Sequence, residues 1–360
     1  MLLPPRAPHF DAALRDAREA SPKGRATAAL VLAQPPVGRE REARVALALL
    51  VKDAQHDVRF AAMAGLGRIG DETVMTEIIA GIDDTDAMVR EAAVIAVGRI
   101  GGPAAHAALR RAAGSEHGEV RFQVPPALLE LCGEEARADM VVMLADERST
   151  VRANAVRALR ELEEHPPTLT RMRRMLEDRD AEVRLETALT LAEWGEDIAG
   201  PELAKSLDNN RMEDELAFAV LDAIGTLKYR EGASACHQLA TAMLRSRSSK
   251  AAAAAALARL GDPRGAPLLR GYLTSFRSDL RDYVLGVVGA LGLIELEPEV
   301  LAFAAKPKGV ELASIAAALE GLADVSERSR KTRDAVMSEG RELAKAIIDR
   351  RRAIAREAQE

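Results

Sequence analysis

A Val-Arg pair returns along this chain at Val58-Arg59, Val89-Arg90, Val120-Arg121, Val151-Arg152 and Val183-Arg184, at intervals of 31, 31, 31 and 32 residues. A fixed period of this length marks a repeat architecture, one supersecondary unit copied and stacked. With Val as position zero, apolar residues recur at plus four, plus eight and plus eleven. Two repeats read Val58, Ala62, Leu66, Ile69 and Val89, Ala93, Val97, Ile100; in a third, Val183, Thr187, Leu191, Trp194, Thr187 is the one lapse. These steps trace one face of an α-helix, whereas a strand would alternate every second residue. The register outlasts the Val-Arg pair. It continues through Leu216, Val220 and Ile224, through Ala253 and Leu257 from Ser249, through Leu280, Val284 and Val288, and through Ile315, Leu319 and Leu322 from Glu311.

Each of these helices has another before it, at Thr73–Ile82, Ala104–Ala112, Asp139–Ala145 and Leu169–Leu176. The unit is therefore helix A, turn, helix B. Position plus seven is small in most repeats, as at Gly65, Ala96, Ala127 and Ala158. A helix that touches the units before and after it needs more than one apolar stripe, with small residues where backbones approach. The fold class that follows is all-α: an α-α superhelix, a solenoid of about ten helix pairs. Gly at plus twelve (Gly70, Gly101, Gly195, Gly261, Gly292) reads as a left-handed C-cap of helix B. Pro125-Pro126, at plus five and plus six of the third helix B, predicts a kink that cuts that helix short.

Three segments are expected. Residues 1–35 hold divergent N-terminal capping helices, Asp11–Ala20 and Lys23–Ala33, split by Ser21-Pro22. Residues 36–324 form the repeat array. Residues 325–360 form a charged C-terminal capping helix, with Val336, Leu343, Ile347 and Ile354 on one stripe and a basic run at Arg350-Arg351-Arg352.

Asp lies five residues before the anchor at Asp53, Asp84, Asp146 and Asp178, with Ser115 in its place once, and a basic residue holds plus one in seven of nine repeats. With these features, and most completely in DTDAMVREAAVIAVGRIG from Asp84 to Gly101, the chain resembles the HEAT-like repeats of phycobilisome lyase subunits over about residues 37–324. The resemblance implies a structural ladder. Asp53, Asp84, Asp146 and Asp178 would accept backbone and Arg hydrogen bonds at the A-to-B turn, and Arg59, Arg90, Arg121, Arg152 and Arg184 would tie neighbouring turns. Ala217 and Leu312 depart from the pattern, so the ladder should weaken toward the C-terminus.

Lys+Arg total 50 against Asp+Glu 56, a net charge of −6. That balance argues against a chain-wide grip on nucleic acid. Aromatics are 3% of residues, so the core must come from Ala, Leu, Val and Ile. Two Cys cannot make a disulfide framework or a Cys-rich zinc site. No apolar run reaches membrane-spanning length, and Pro4 and Pro5 interrupt the start where a secretory peptide needs a helix, so a cytoplasmic protein without membrane contact is expected.

Chemical motifs fail one by one. Gly65-Leu66-Gly67-Arg68-Ile69-Gly70 fits GxGxxG, but it ends a helix instead of opening one. Asp83-Asp84-Thr85-Asp86 lacks the Gly and Glu of a calcium loop. None of the six His precedes a Glu, as the di-iron hydroxylases built on such repeats require. The expectation is no enzyme, no cofactor and no metal.

What remains is surface. Positions plus two, plus six and plus ten lie off the buried stripe, and the resemblance implies that helices B line a concave face. Those positions carry Phe60, Glu91, Phe122, Leu185 and Phe218, then Ile95, Arg157 and Leu189, then Arg68, Arg99, Glu130, Glu161 and Glu193. Aromatics and Arg are common interface anchors. The expected function is a non-catalytic scaffold or adaptor that grips an extended segment or helix of another protein. The family supplies an alternative, a bilin lyase-like chromophore-handling subunit. A third, nucleic-acid binding through Arg68, Arg99 and the C-terminal arginines, is opposed by the acidic balance.

Overall fold

The computed structural model describes residues 10–209, 212–307, 309–336 and 338. Twenty α-helices lie between Phe10 and Ala323, and no strand occurs among the described residues. They run in ten consecutive pairs. The first five are α1 (Phe10–Glu19) with α2 (Pro22–Leu32), α3 (Glu40–Leu50) with α4 (His56–Ile69), α5 (Met75–Gly81) with α6 (Ala87–Ile100), α7 (Pro103–Ala112) with α8 (Gly118–Cys132), and α9 (Arg137–Met143) with α10 (Ser149–Arg160). The others are α11 (Pro166–Met175) with α12 (Ala181–Glu193), α13 (Gly200–Ser206) with α14 (Asp214–Thr226), α15 (Ala233–Thr241) with α16 (Arg247–Arg259), α17 (Gly265–Leu273) with α18 (Ser278–Leu291), and α19 (Glu297–Ala305) with α20 (Leu312–Ala323). This is an all-α solenoid-type fold. The chain divides into two compact units, up to Thr190 and from Leu191, inside the array expected over 36–324. The basic run Arg350-Arg351-Arg352 and most of the expected C-terminal stripe lie outside the described residues.

In the first unit the second helix of each pair packs on its successor: α2 on α4, α4 on α6, α6 on α8, α8 on α10. The anchors Val58, Val89, Val120 and Val151 are completely buried. Backbones come closest where the sequence is smallest. A Cβ on Gly67 would stand 3.1 Å from the Cα of Ala96, and one on Gly98 would stand 2.9 Å from the carbonyl oxygen of Ala127. The lapse at Thr187 is resolved locally, since its buried hydroxyl donates to the Val183 carbonyl at 2.7 Å. In the second unit Val284, Leu285, Val288, Ile315, Leu319 and Leu322 centre the core.

Two local expectations need correction. Pro125 and Pro126 do not shorten their helix; α8 runs 15 residues, through both prolines to Cys132. Gly70 is not left-handed. Its φ of −69° and ψ of 164° are extended, and the position needs Gly for space, since a Cβ would meet the Leu66 carbonyl at 2.4 Å. Gly101, Gly195, Gly261 and Gly292 do have positive φ. The same slot in the sixth repeat holds Lys228, at φ 52°.

Candidate functional site

The A-to-B turns of the first unit are cross-linked by a ladder of charges. Arg59 donates from Nε and Nη2 to Asp84 at 2.8 and 2.7 Å, Arg121 to Asp146 at 2.7 and 3.1 Å, and Arg152 to Asp178 at 2.8 and 2.6 Å. Each Arg therefore reaches the Asp of the following turn. Its Nη1 stays at home: Arg59, Arg90, Arg152 and Arg184 donate to the carbonyls of Asp53, Asp84, Asp146 and Asp178 in their own turns, and Arg121 to that of Ser115. The Asp carboxylates also accept N–H groups two residues on, from Gln55, Asp86, Arg148 and Asp180. Every rung thus joins two turns and closes both.

Two members escape the sequence pattern. Arg25 on α2 donates to Asp53 at 2.6 and 2.9 Å, so the ladder begins one pair before the Val-Arg repeats. Where Ser115 replaces Asp, Arg90 turns to Glu119, one residue before the anchor. The rungs are largely dehydrated; the Arg121 and Asp146 side chains are 8% and 9% exposed. Burial alone would raise the carboxyls of Asp84, Asp146 and Asp178. Their Arg partners and backbone donors outweigh it, and all three lie below the usual range. The Arg25 hydrogen bond likewise lowers Asp53, and the Arg90 hydrogen bond lowers Glu119. In the second unit other chemistry takes over: Ser249 donates to Asp214 at 2.6 Å, and Arg245 to the carbonyls of Asn209 and Met212.

The residues expected to meet a partner fall into distinct environments. Four of them, Phe60, Glu91, Ile95 and Arg99, line one groove of about 340 Å³ between α4 and α6. Ala64, Gly67, Ala92 and Ala96 complete it, together with Met88, 55% exposed. The groove exists because its smallest residues lie where the two helices are closest, while longer side chains form the walls. Glu91 accepts a hydrogen bond from Gln123 at 3.3 Å, and Arg99 lies 3.8 Å from Glu130. Met88 was missed because it precedes the anchor and lies off the plus-two, plus-six, plus-ten wheel.

The others do not share that groove. Arg68, Glu130 and Glu161 are exposed, and Phe122 and Leu185 half-buried. One expectation is corrected. Leu189 is 6% exposed and belongs to the interior, because a helix packed on several sides buries a wider face than one stripe. Arg157 is partly exposed and also pairs with Glu182 and Glu186, both at 2.7 Å, which ties α10 to α12. Glu193 and Phe218 belong to the second unit, where Phe218 is half-buried; Trp194 is half-buried just past α12. Cys132 and Cys236 are both free thiols. Among the described residues no three His, Cys, Asp or Glu side chains gather as a metal site, and no helix is long and apolar enough to cross a membrane.

A HEAT-repeat family model matches residues 43–127 and 75–160, and the model of the PBS lyase HEAT-like repeat matches 249–275. No curated protein matches the chain by sequence. Among solved structures, YibA of Escherichia coli aligns with a TM-score of 0.50 and 18% identity, over 71% of this chain and 93% of that one. The complex of CpcE and CpcF of phycocyanin lyase from Nostoc aligns at 0.37 and 21%, over 73% and 94%. Human deoxyhypusine hydroxylase in complex with glycerol aligns at 0.31 and 19%, over 70% and 96%. The chain thus carries HEAT repeats over residues 43–160 and one PBS lyase HEAT-like repeat at 249–275.

Proposed function

We propose that this is a non-catalytic scaffold, working in the cytoplasm without a cofactor, that holds an extended segment or helix of another protein. The observation that carries the reading is the groove between α4 and α6. Its walls offer Phe60, Met88 and Ile95, and its charged residues, Glu91 and Arg99, have opposite sign. Apolar anchors bounded by charge are what a docked peptide uses for affinity and register. The ladder supports the same role from the turns, since rungs that cross-link neighbouring turns hold α4 and α6 at a fixed spacing. A groove held in shape before binding costs less ordering when it binds.

A photo-crosslinking amino acid at position 88, exposed and in the groove, tests this in the native cell. The reading expects one or a few discrete protein adducts, lost when Ile95→Gln is added. Adducts that never form, or that persist unchanged with Ile95→Gln, would remove the support.

A further inference from the structure

A second cavity, of about 570 Å³, lies between α1 and α3, on first helices of their pairs. Arg15 and Arg18 of α1 and Arg41 of α3 line it, above Leu14, Val45 and Ala46. Glu42 also lines it, but its carboxylate is already spent: Arg39 donates to it from Nε at 3.0 Å and from Nη2 at 2.7 Å. Arg39 takes Asp11 as well, at 2.5 Å, and lies 4.5 Å from the centre of the Phe10 ring. Arg15, Arg18 and Arg41 make no ion pair with any described residue.

Several other first helices hold paired cations. Arg44 of α3 pairs with Asp71 at 2.9 Å, Arg110 of α7 with Asp139 at 3.0 Å, and Arg270 of α17 with Glu299 at 2.6 Å. In each of these three, a cation on a first helix meets a carboxylate from the next pair. At the α1/α3 groove three guanidiniums gather over an apolar floor without one. The apolar surface also runs on past the cavity. Val45 and Leu49, one turn apart on α3, are 56% and 58% exposed. From Arg41 to Leu49 the stripe covers about 12 Å of helix. A small anion would use the charges and leave that stripe bare.

We propose that the α1/α3 groove is a docking site for an acidic amphipathic segment of a protein partner. Its carboxylates pair with Arg15, Arg18 and Arg41, and its apolar residues cover Val45 and Leu49. Arginine forks match carboxylates in pairs, and an amphipathic helix laid in a groove buries its apolar face while its polar edge meets the rim. This site is separate from the α4/α6 groove in helices and in charge, so either can fail without the other.

The test uses the full chain and a fluorescein-labelled helical peptide of about fifteen residues, built from Glu, Ala and helically spaced Leu. Two comparison peptides carry Lys for Glu or Ser for Leu. The acidic peptide should bind more tightly than either, and more weakly as salt rises. The triple variant Arg15→Glu, Arg18→Glu, Arg41→Glu should weaken it at least about tenfold, as should Val45→Ser with Leu49→Ser. All five positions are on the surface, and unchanged circular dichroism confirms folding. Met88→Glu, in the other groove, should leave affinity unchanged. No binding of the acidic peptide, equal binding of the Lys or Ser peptide, or equal binding by the Arg triple variant would overturn the proposal. So would loss through Met88→Glu, which places the peptide in the α4/α6 groove. Inorganic tripolyphosphate binding as tightly as the peptide would also overturn it, in favour of a small-anion site.

Discussion

The side-chain amide of Asn154, on α10, donates to the backbone carbonyl of Phe122, on α8, at 2.6 Å. In an unbroken helix that carbonyl would accept the N–H of residue 126, which is Pro126 and has none. The next repeat supplies the missing donor. Asn154→Ala should therefore cost about 1 kcal/mol in urea unfolding, the usual penalty for stranding one partner of a half-buried bond. Pro126→Ala returns the backbone donor. In that background the cost of Asn154→Ala should shrink, and a double-mutant cycle measures the difference. Independent, additive effects would mean that the Asn154 bond does not compensate for Pro126.

The ladder makes stability depend on acid in a definite direction. Asp53, Asp84, Asp146, Asp178 and Glu119 hold their protons less tightly when folded than when free. Their contribution is therefore complete above about pH 4, where the unfolded carboxyls have ionised, and is lost as pH falls through the lower folded values. Asp178→Asn should cost about 3 kcal/mol at neutral pH, because it leaves Arg152 buried without its counter-charge. The loss should narrow below pH 4. Thermal unfolding at several pH values checks both, and a gap that widens in acid would contradict the sign.

Two glycines of α18 and α20 should respond oppositely to alanine. A Cβ on Gly321 would stand 1.7 Å from the carbonyl oxygen of Gly289, backbone that cannot swing aside. Gly321→Ala should destabilise the second unit by about 2 kcal/mol or more. Gly286, also helical, has open space where its Cβ would go. Gly286→Ala should stabilise by about 0.5–1 kcal/mol through helix propensity alone. Denaturant midpoints for the pair decide it.

Lys228 occupies a glycine slot. The N–H after it, on Tyr229, bonds the Ile224 carbonyl at 3.1 Å, the same helix-ending bond that follows Gly195, Gly261 and Gly292. At φ 52° a Cβ is crowded, and Lys228→Gly should raise stability by about 1 kcal/mol. A fall in the unfolding midpoint would show that the lysine side chain contributes more than its backbone costs.

The positions of Arg59, Arg121 and Arg152 and of their Asp partners recur at one register, but the link between them was only implied by the family resemblance. Arg25 was not legible, since it lies off that register, nor was Glu119, a substitute reached from a different position. The α4/α6 groove was half legible. Phe60, Glu91, Ile95 and Arg99 follow from a helical wheel, yet the same wheel also put forward Leu189, which is buried.

Periodicity, helix pairing, core stripe and close-approach positions could be read from the amino acids alone, because each depends on which side of one helix a residue occupies. Which charges are satisfied could not. Arg121 and Arg41 are the same residue type on helices of one unit, the first locked to Asp146 and the second left over an apolar floor. That difference rests on distances between residues a whole repeat apart. Local sequence does not set them; the packing of one helix pair on the next does.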